Sequence, residues 1–585
     1  MPKYVVGIHP GHDPNIGIVD LDSKYLFHHE AERVSRLKHG GPIYFDRIFS
    51  KLNIDIKEIE FFILSADLHV HSIFLERDNT IDTFKKYLGD DWLKNVPDMN
   101  KKLFMFDSFI EKNSFMGKDV HVVRHHVCHS AYTYFTSPFD KSVIFSYDGI
   151  GYMDEFALSS LGENNKINNF RNYPLFGVGF IYNIITIMIF NILSGKCDGF
   201  WEGKTMALSS YGKPTFLKLI NDRFYIPGDP LSSASLITRY KSRYGEGTAP
   251  QHLKPDNLKM IEEIHSDIYQ QEIKLTKENF FEYACDLAAS WQKYFEDLMV
   301  ESMQMLKDHY GLENLCISGG CGLNGLINYK LQDVFKNIYI APATSDCGIG
   351  LGAALYGKHV ILNLPKIDYG NVAYLGSDFT IDESIFKDKP ITYRKLNYEE
   401  IYDYIANELI NQKIIAWYQG RSESGPRALG NRSILCDPRD PNMKDILNEK
   451  VKHRESFRPF APAVLKEFAK DYFYNVDDDK YMLKITKVKE EHLKSFPAAI
   501  HVDNTARLQA VSKEDNLHFY NLIYKFYEKT KLPILLNTSF NDNGEPIVDS
   551  PEDAIKTFLN TKINILVLKD YVIEKKNKNF EYRRL

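Results

Sequence analysis

Apolar and polar positions alternate from the start of the chain in a pattern that predicts three short strands: YVVGI from Tyr4, NIGIVD from Asn15 and YLFHHEAE from Tyr25. The first turn between them, PGHDP, carries His12 and Asp13 where strand gives way to loop. The same strand–turn–strand pattern returns at KSVIFSYDGIG and EFALSSL, with Asp148 and Gly149 in the equivalent turn. Two further strands each run into a glycine-rich turn. NLCIS enters GGCGLNG, with Gly319, Gly320 and Asn324; NIYIAPA enters TSDCGIGLGAAL, with Asp346 just before a helical run. The 3.6-residue period predicts a helix over roughly 258–309, and residues 228–256, rich in Pro, Gly, Ser and charge, read as a loop or insertion. The richest apolar run, FGVGFIYNIITIMIFNIL, is interrupted by Asn183 and Asn191 and reads as a buried helix, not a membrane span.

Candidate chemistry concentrates in RHHVCHSA, Arg124 to Ala131, which leads into the apolar run AYTYF and reads as a helix. Positions i and i+4 share a helix face, so His125 and His129 can present two imidazoles to one ion; His126 with His129 is the i, i+3 alternative. Two neutral imidazoles leave a divalent metal short of ligands, so carboxylates must come from elsewhere. The competing reading is a set of hydrogen-bonded, half-buried histidines. Glu30, Glu32, Arg33, Arg36, Lys38 and His39 crowd one segment that reads as a solvated helix start. WEGKTMALSSYGK holds Glu202 and Lys204 in a stretch able to approach a phosphate, although it is no Walker A motif. Glycines after a strand, as in both glycine-rich turns, let backbone N–H groups approach a nucleotide. Beyond about residue 390 the character changes: Arg421, Arg427, Arg432, Lys452, Arg454 and Arg458 gather beside Gly, Pro and Phe, and Arg507 follows. Guanidinium forks suit phosphate or carboxylate oxygens. A polar run, NTSFNDNGEPIV with Ser539 and Asn541, succeeds the strand LPILL.

A chain of 585 residues exceeds one core, so two or more domains are expected. The net charge of −6 argues against a general nucleic-acid or membrane-surface binder. Seven cysteines without CxxC pairs suggest reduced thiols, and the N-terminus lacks the order of a signal peptide, so a cytoplasmic location is expected. Cys128 and Cys347 stand beside proposed ligands, and both read as small packing residues.

The two strand–turn–strand halves resemble the duplicated RNase H-like architecture of the actin-like ATPase superfamily, which bears on fold and proves no activity. Nearly end to end, the motifs resemble the O-carbamoyltransferases that act on nodulation factors and antibiotics. They are HD, HHxxH, DG, EGK with YG, SGG with LN, SDxG, GPRALGNRSIL, FRPFAP, HVD with AR, and NTSFN with GEPIV. The resemblance implies an α/β protein: a duplicated RNase H-like, actin-like domain over 1–389, and a YrdC-like α/β domain over 390–585. It implies ATP, with Mg, and carbamoyl phosphate as substrates. A carbamoyladenylate would form in the second domain, and the carbamoyl group would pass to a hydroxyl of a small-molecule natural product or sugar in the first. It places His125, His129, Asp148 and Asp346 on iron(II) or another divalent metal, and makes His12 the candidate general base. Lys452, Arg458, Arg507 and Ser539 fall where that family binds carbamoyl phosphate and ATP. Pro14 and Asn15 depart from the small residues the family often carries after HD. Two rivals stand beside this reading. A tRNA threonylcarbamoyl transferase-like enzyme sits poorly with the acidic charge and the fused arginine-rich domain; a non-enzymatic nucleotide-binding protein leaves His12 and the paired histidines without a purpose.

Overall fold

The computed structural model describes residues 2–66, 108–149, 157–173, 177–194, 201–225, 262, 265–266, 271–476 and 478–576. Its first sheet takes in β1 (Tyr4–His9), β2 (Asn15–Asp20), β3 (Leu26–Glu30), β4 (Ile59–Ala66), β5 (Ser108–Phe115) and β6 (Lys118–Arg124), in the order β3-β2-β1-β4-β6-β5. β1, β2 and β3 form an antiparallel meander, and β4 and β6 add parallel to β1. The second sheet takes in β7 (Lys141–Tyr147), β8 (Ala157–Glu163), β9 (Lys166–Tyr173), β10 (Asn314–Ser318) and β11 (Asn337–Ile340), in the order β11-β10-β7-β8-β9. Again a meander is followed by two strands parallel to its first strand. Apart from the extra edge strand β5, the two sheets share order and direction. The repeat read from the sequence is thus a repeat of topology.

Between the sheets lie two helices, His125–Thr136 and Ile349–Tyr356. Their Val127, Ala131, Phe135, Leu351 and Ala354 join Val5 and Ile63 of the first sheet and Ile144 and Leu158 of the second in one core. Every residue of His125–Thr136 is buried, which is why AYTYF is apolar all round. The second helix lies flush on its neighbours. A Cβ on Gly7 would stand 2.0 Å from the carbonyl oxygen of Gly350, and one on Gly352 would stand 2.1 Å from that of Cys128. Cys128 and Cys347 are both buried, as packing residues should be.

The apolar run around Asn183 forms the helix Val178–Ser194, which packs with the long helix Phe280–Tyr310. Among the described residues no helix is long and apolar enough to cross a membrane. Of the helical pattern expected over 258–309, residues 262, 265 and 266 are helical, residues 271–279 are not, and the long helix runs over Phe280–Tyr310. Just before Phe280, Thr276 and Asn279 bond each other's backbone N–H through their side chains in a local turn. The expected loop at 228–256 lies outside the described residues.

The C-terminal part builds a third, mixed sheet of eight strands. In spatial order they are Ile391–Lys395, Tyr571–Lys575, Ile565–Leu568, Ile415–Tyr418, Arg432–Cys436, Ile534–Ser539, Ala461–Leu465 and Gln509–Val511. It docks against the charged segment after β3, which is a helix, Ala31–Ser35, yet not a solvated one. Glu30 and Arg33 are buried: Arg33 donates to the carbonyl of Gly425 at 2.7 Å, and Gly425 N–H donates to Glu30 at 2.8 Å. His28 reaches Ser424 Oγ at 2.5 Å, and Arg36 donates to the carbonyls of Pro546 and Ile547.

Candidate active site

His125 opens its helix, and His129 stands one turn on along the same face. One ligand atom from each of His125, His129, Asp148 and Asp346 lies within 4.8 Å of all the others. His129 Nε2 is 3.1 Å from His125 Nε2 and 3.1 Å from Asp148 Oδ2. Asp346 Oδ1 is 3.5 Å from the first imidazole and 3.4 Å from the second. For metal–ligand bonds of about 2.1 Å, neighbouring ligand atoms stand about 3.0–3.4 Å apart, so this donor set fits a divalent ion. It also settles the choice between helix faces: His126 is buried outside the cluster. With Nε2 turned to the cluster, His129 Nδ1 donates to Ser318 Oγ at 3.3 Å, and Ser318 donates on to the carbonyl of Thr344.

The two carboxylates come from strand ends of the second sheet. Asp148 follows β7 and accepts from Gly149 N–H at 2.6 Å and from Gly320 N–H at 2.9 Å. Burial opposes its charge, but His125 and His129 hold its carboxyl well below the usual range. Gly319 has φ of +93°, and a Cβ there would stand 2.0 Å from the carbonyl oxygen of Tyr147. The SGG glycines therefore place Asp148; Gly320 spends its N–H on that carboxylate, and Gly319 is not on the cavity wall.

Asp148 and Asp346 face a cavity of about 700 Å³ whose wall also carries His12. Asp13 lies between two imidazoles, 3.3 Å from His12 Nε2 and 2.8 Å from His39 Nδ1. Burial opposes the Asp13 charge, yet His12 and His39 keep its carboxyl low; burial likewise opposes protonation of His39, but Asp13 raises it. Asp13 and His39 carried no assigned role in the sequence reading, although both stand in short motifs, HD and KH.

Across the cavity stand Arg427, Lys452, Arg454, Arg458 and Arg507. Burial, then Arg427, Arg454 and Arg458, push Arg507 well below its ordinary value; burial and the neighbouring Arg458 push Arg454 down to about 9. Nε of Arg427 and Nε of Arg507 are buried with no hydrogen-bond acceptor. Lys452 is lowered by burial and by Arg454 and Arg458, and its ammonium reaches Asn541 Oδ1 at 2.6 Å and Ser539 Oγ at 3.2 Å. Glu455 lies 3.8 Å from Arg458 and already pairs with Lys204 at 2.9 Å, and Asp542 on the same wall partly offsets the lowering of Lys452. Such a concentration of buried positive charge is a site for an anion.

The family model for the N-terminus of the carbamoyltransferases matches residues 4–355, and that for their C-terminus matches residues 406–575. The chain belongs to the carbamoyltransferase family. Nodulation protein NolO of Bradyrhizobium diazoefficiens is 32% identical over 78% of this chain and 79% of its own. An uncharacterized protein of Methanocaldococcus jannaschii is 31% identical over 97% of this chain and 98% of its own. The 3'-hydroxymethylcephem-O-carbamoyltransferase of Amycolatopsis lactamdurans is 35% identical over 41% of this chain and 45% of its own. The protein is an enzyme of carbamoyl transfer.

Several expected binding residues of this carbamoyltransferase are spent on its framework. Arg421 donates to the carbonyls of Gly376, Leu375 and Leu26, tying the third sheet to the first. Arg432 is fully buried, donates to the carbonyls of Gln419 and Gly420, and stacks over the Tyr418 ring at 3.5 Å. Neither reaches the cavity wall, because peptide carbonyls already occupy their forks. Lys204 lies over the Trp201 ring and pairs with Glu455, so it props the basic wall from behind. Asn324 lines the cavity, but its side chain caps a helix at Ile327 N–H and exchanges hydrogen bonds with Gln292. Glu202 lines the cavity, is held by Asn183, and is raised by burial.

Proposed function

We propose that this carbamoyltransferase is an ATP-dependent O-carbamoyltransferase that uses carbamoyl phosphate and passes its carbamoyl group to a hydroxyl through a carbamoyladenylate. The observation that supports this most is one cavity lined both by Arg427, Lys452, Arg454, Arg458 and Arg507 and by His12, Asp148 and Asp346. Residues 1–389 would form a duplicated RNase H-like transfer domain, and residues 390–585 a YrdC-like adenylating domain. Atom balance sets the sequence of steps. Carbamoyl phosphate takes up one water and gives carbamate and phosphate. A carbamate oxygen attacks the α-phosphorus of ATP and expels pyrophosphate. The acceptor oxygen then attacks the carbamoyl carbon, AMP leaves, and the hydroxyl proton goes to His12.

In the adenylating half, Arg427, Lys452, Arg458 and Arg507 bind phosphate oxygens and oppose charge building on them, with Mg accompanying the ATP. Ser539 and Asn541, held by Lys452, line the same wall. In the transfer half, Asp13 orients the His12 ring, which removes the proton that makes an alcohol a poor nucleophile. His125, His129, Asp148 and Asp346 would hold iron(II) or another divalent ion, which when bound supplies a Lewis acid able to polarise a carbonyl or phosphoryl oxygen. Enclosure of both halves in one cavity limits hydrolysis of the adenylate.

Pyrophosphate and AMP release with ATP and carbamoyl phosphate tests the division of labour. Arg458→Ala and Arg507→Ala should each lose about 10²-fold or more of pyrophosphate release. His12→Asn should retain it, while lowering carbamoyl transfer to a hydroxyl acceptor by about 10²–10⁴-fold. Normal adenylation in both arginine variants would refute the assignment.

A further inference from the structure

The turn between β1 and β2 is held by a side chain to which the proposed chemistry gives no part. Asn15 is completely buried, and both amide hydrogens and the amide oxygen of its side chain are hydrogen-bonded. One Nδ2 hydrogen goes to the carbonyl of Asp13 at 2.7 Å and the other to the carbonyl of Asp346 at 2.8 Å; Oδ1 accepts from Gly350 N–H at 2.8 Å. A single amide thus joins the His12 turn of the first sheet to the Asp346 turn of the second, 331 residues away in sequence.

Both flanks of this bridge are built for it. On the near side, Asp13 adopts φ of +58°, the left-handed region that Asp enters more readily than most non-glycine residues. The carbonyl of residue 13 is fixed by Asn15, and the carbonyl of residue 12 by His9 Nε2 at 3.0 Å. A carbonyl only accepts, so His9 Nε2 carries the hydrogen, and its Nδ1 accepts from the Ser65 hydroxyl at 2.7 Å. On the far side, a Cβ on Gly350 would stand 2.7 Å from Asn15 Oδ1, so a glycine lets the amide reach in. Asp346 and Gly350 bracket the turn that carries the Asp346 carboxylate, and Asn15 grips that turn at both ends.

We infer that Asn15 is a positioning residue: it sets the separation between the His12 turn and Asp346, and through it the shape of the four-residue metal cluster. The inference rests on the proposed reading of that cluster as a metal site. Groups that orient ligands from behind typically govern metal affinity by about 10–100-fold. Cobalt(II) titration of the full chain against a competing chelator, followed by the visible ligand-field bands, reads this without any acceptor. Asn15→Ala and the milder Asn15→Ser should each bind cobalt(II) about 10–100-fold more weakly, with altered bands, while circular dichroism reports a folded chain. Wild-type affinity and bands in either folded variant, even with a lower Tm, would overturn the inference and leave Asn15 a packing residue. Wild-type protein that takes up no cobalt(II), or an Asp346→Ala variant that binds like wild type, would instead overturn the metal site itself.

Discussion

Lys452 shows how much one buried ammonium is asked to do. It is lowered well below its ordinary value by burial and by Arg454 and Arg458, yet it still draws Ser539 and Asn541 toward the basic wall. Lys452→Met should therefore lose both a phosphate contact and the order of that wall, cutting pyrophosphate release by about 10²–10³-fold with little change in cobalt(II) affinity. A variant with near-normal release would return Lys452 to a purely structural part. Helical spacing left two pairs open, His125 with His129 and His126 with His129, and the fold brings the first pair to Asp148 and Asp346. The parts played by the arginines were not legible in sequence. Arg421 and Arg458 both stand beside Gly, Pro or polar neighbours, and only the fold tells that peptide carbonyls fill the first fork while the second faces a cavity.

At the scale of elements, the helix Ile349–Tyr356 sets the position of the ligand just before it. It can lie flush on β1 and on the histidine helix because glycines stand at the contacts. Gly352→Ala would push a methyl group to within 2.1 Å of the carbonyl oxygen of Cys128, next to His129. Overpacking of this kind costs about 1–3 kcal/mol, and here the displaced partner is backbone. The variant should melt several degrees lower and retain less metal; calorimetry and metal analysis check both, and an unchanged Tm would show that the helix can shift freely. Strands and meanders were legible because alternation and turn residues mark them locally. The carboxylate partners were not legible from spacing, since Asp148 and Asp346 come together only when β7, β10 and β11 pair. The break at 271–279 was not legible, because the Thr276–Asn279 turn interrupts a period that the side chains alone would continue.

The molecule as a whole is fastened by buried histidines that stay neutral. Burial pushes His28 down to about 3 although it bonds the carbonyl of Cys347, and burial pushes His359 down to about 4 although it bonds that of Leu364. Both folded values lie below the ordinary imidazole value of 6.5, so the unfolded chain binds more protons in acid. The stability they contribute is fully present above pH 6.5 and is lost as pH falls toward 4, by about 1.4 kcal/mol per pH unit for each. Tm measured from pH 7 to pH 5 should fall, and should fall less steeply in His28→Gln/His359→Gln. Equal slopes in the two proteins would locate the acid sensitivity elsewhere.

The covering of Gly7 by Gly350 and Ala354 has a consequence in time. The first strand is made more than 300 residues before the helix that roofs it. At the usual pace of synthesis that interval is on the order of tens of seconds. Throughout it, the face of β1 and β2 that ends against the helix has no permanent neighbour. Three of the four proposed ligands, His125, His129 and Asp148, emerge well before Asp346, so the nascent chain holds an unfinished cluster. The proposed cluster can be completed only once Asp346 has followed the other three, and until the helix after it emerges, cellular factors that shelter apolar strands have that face to cover.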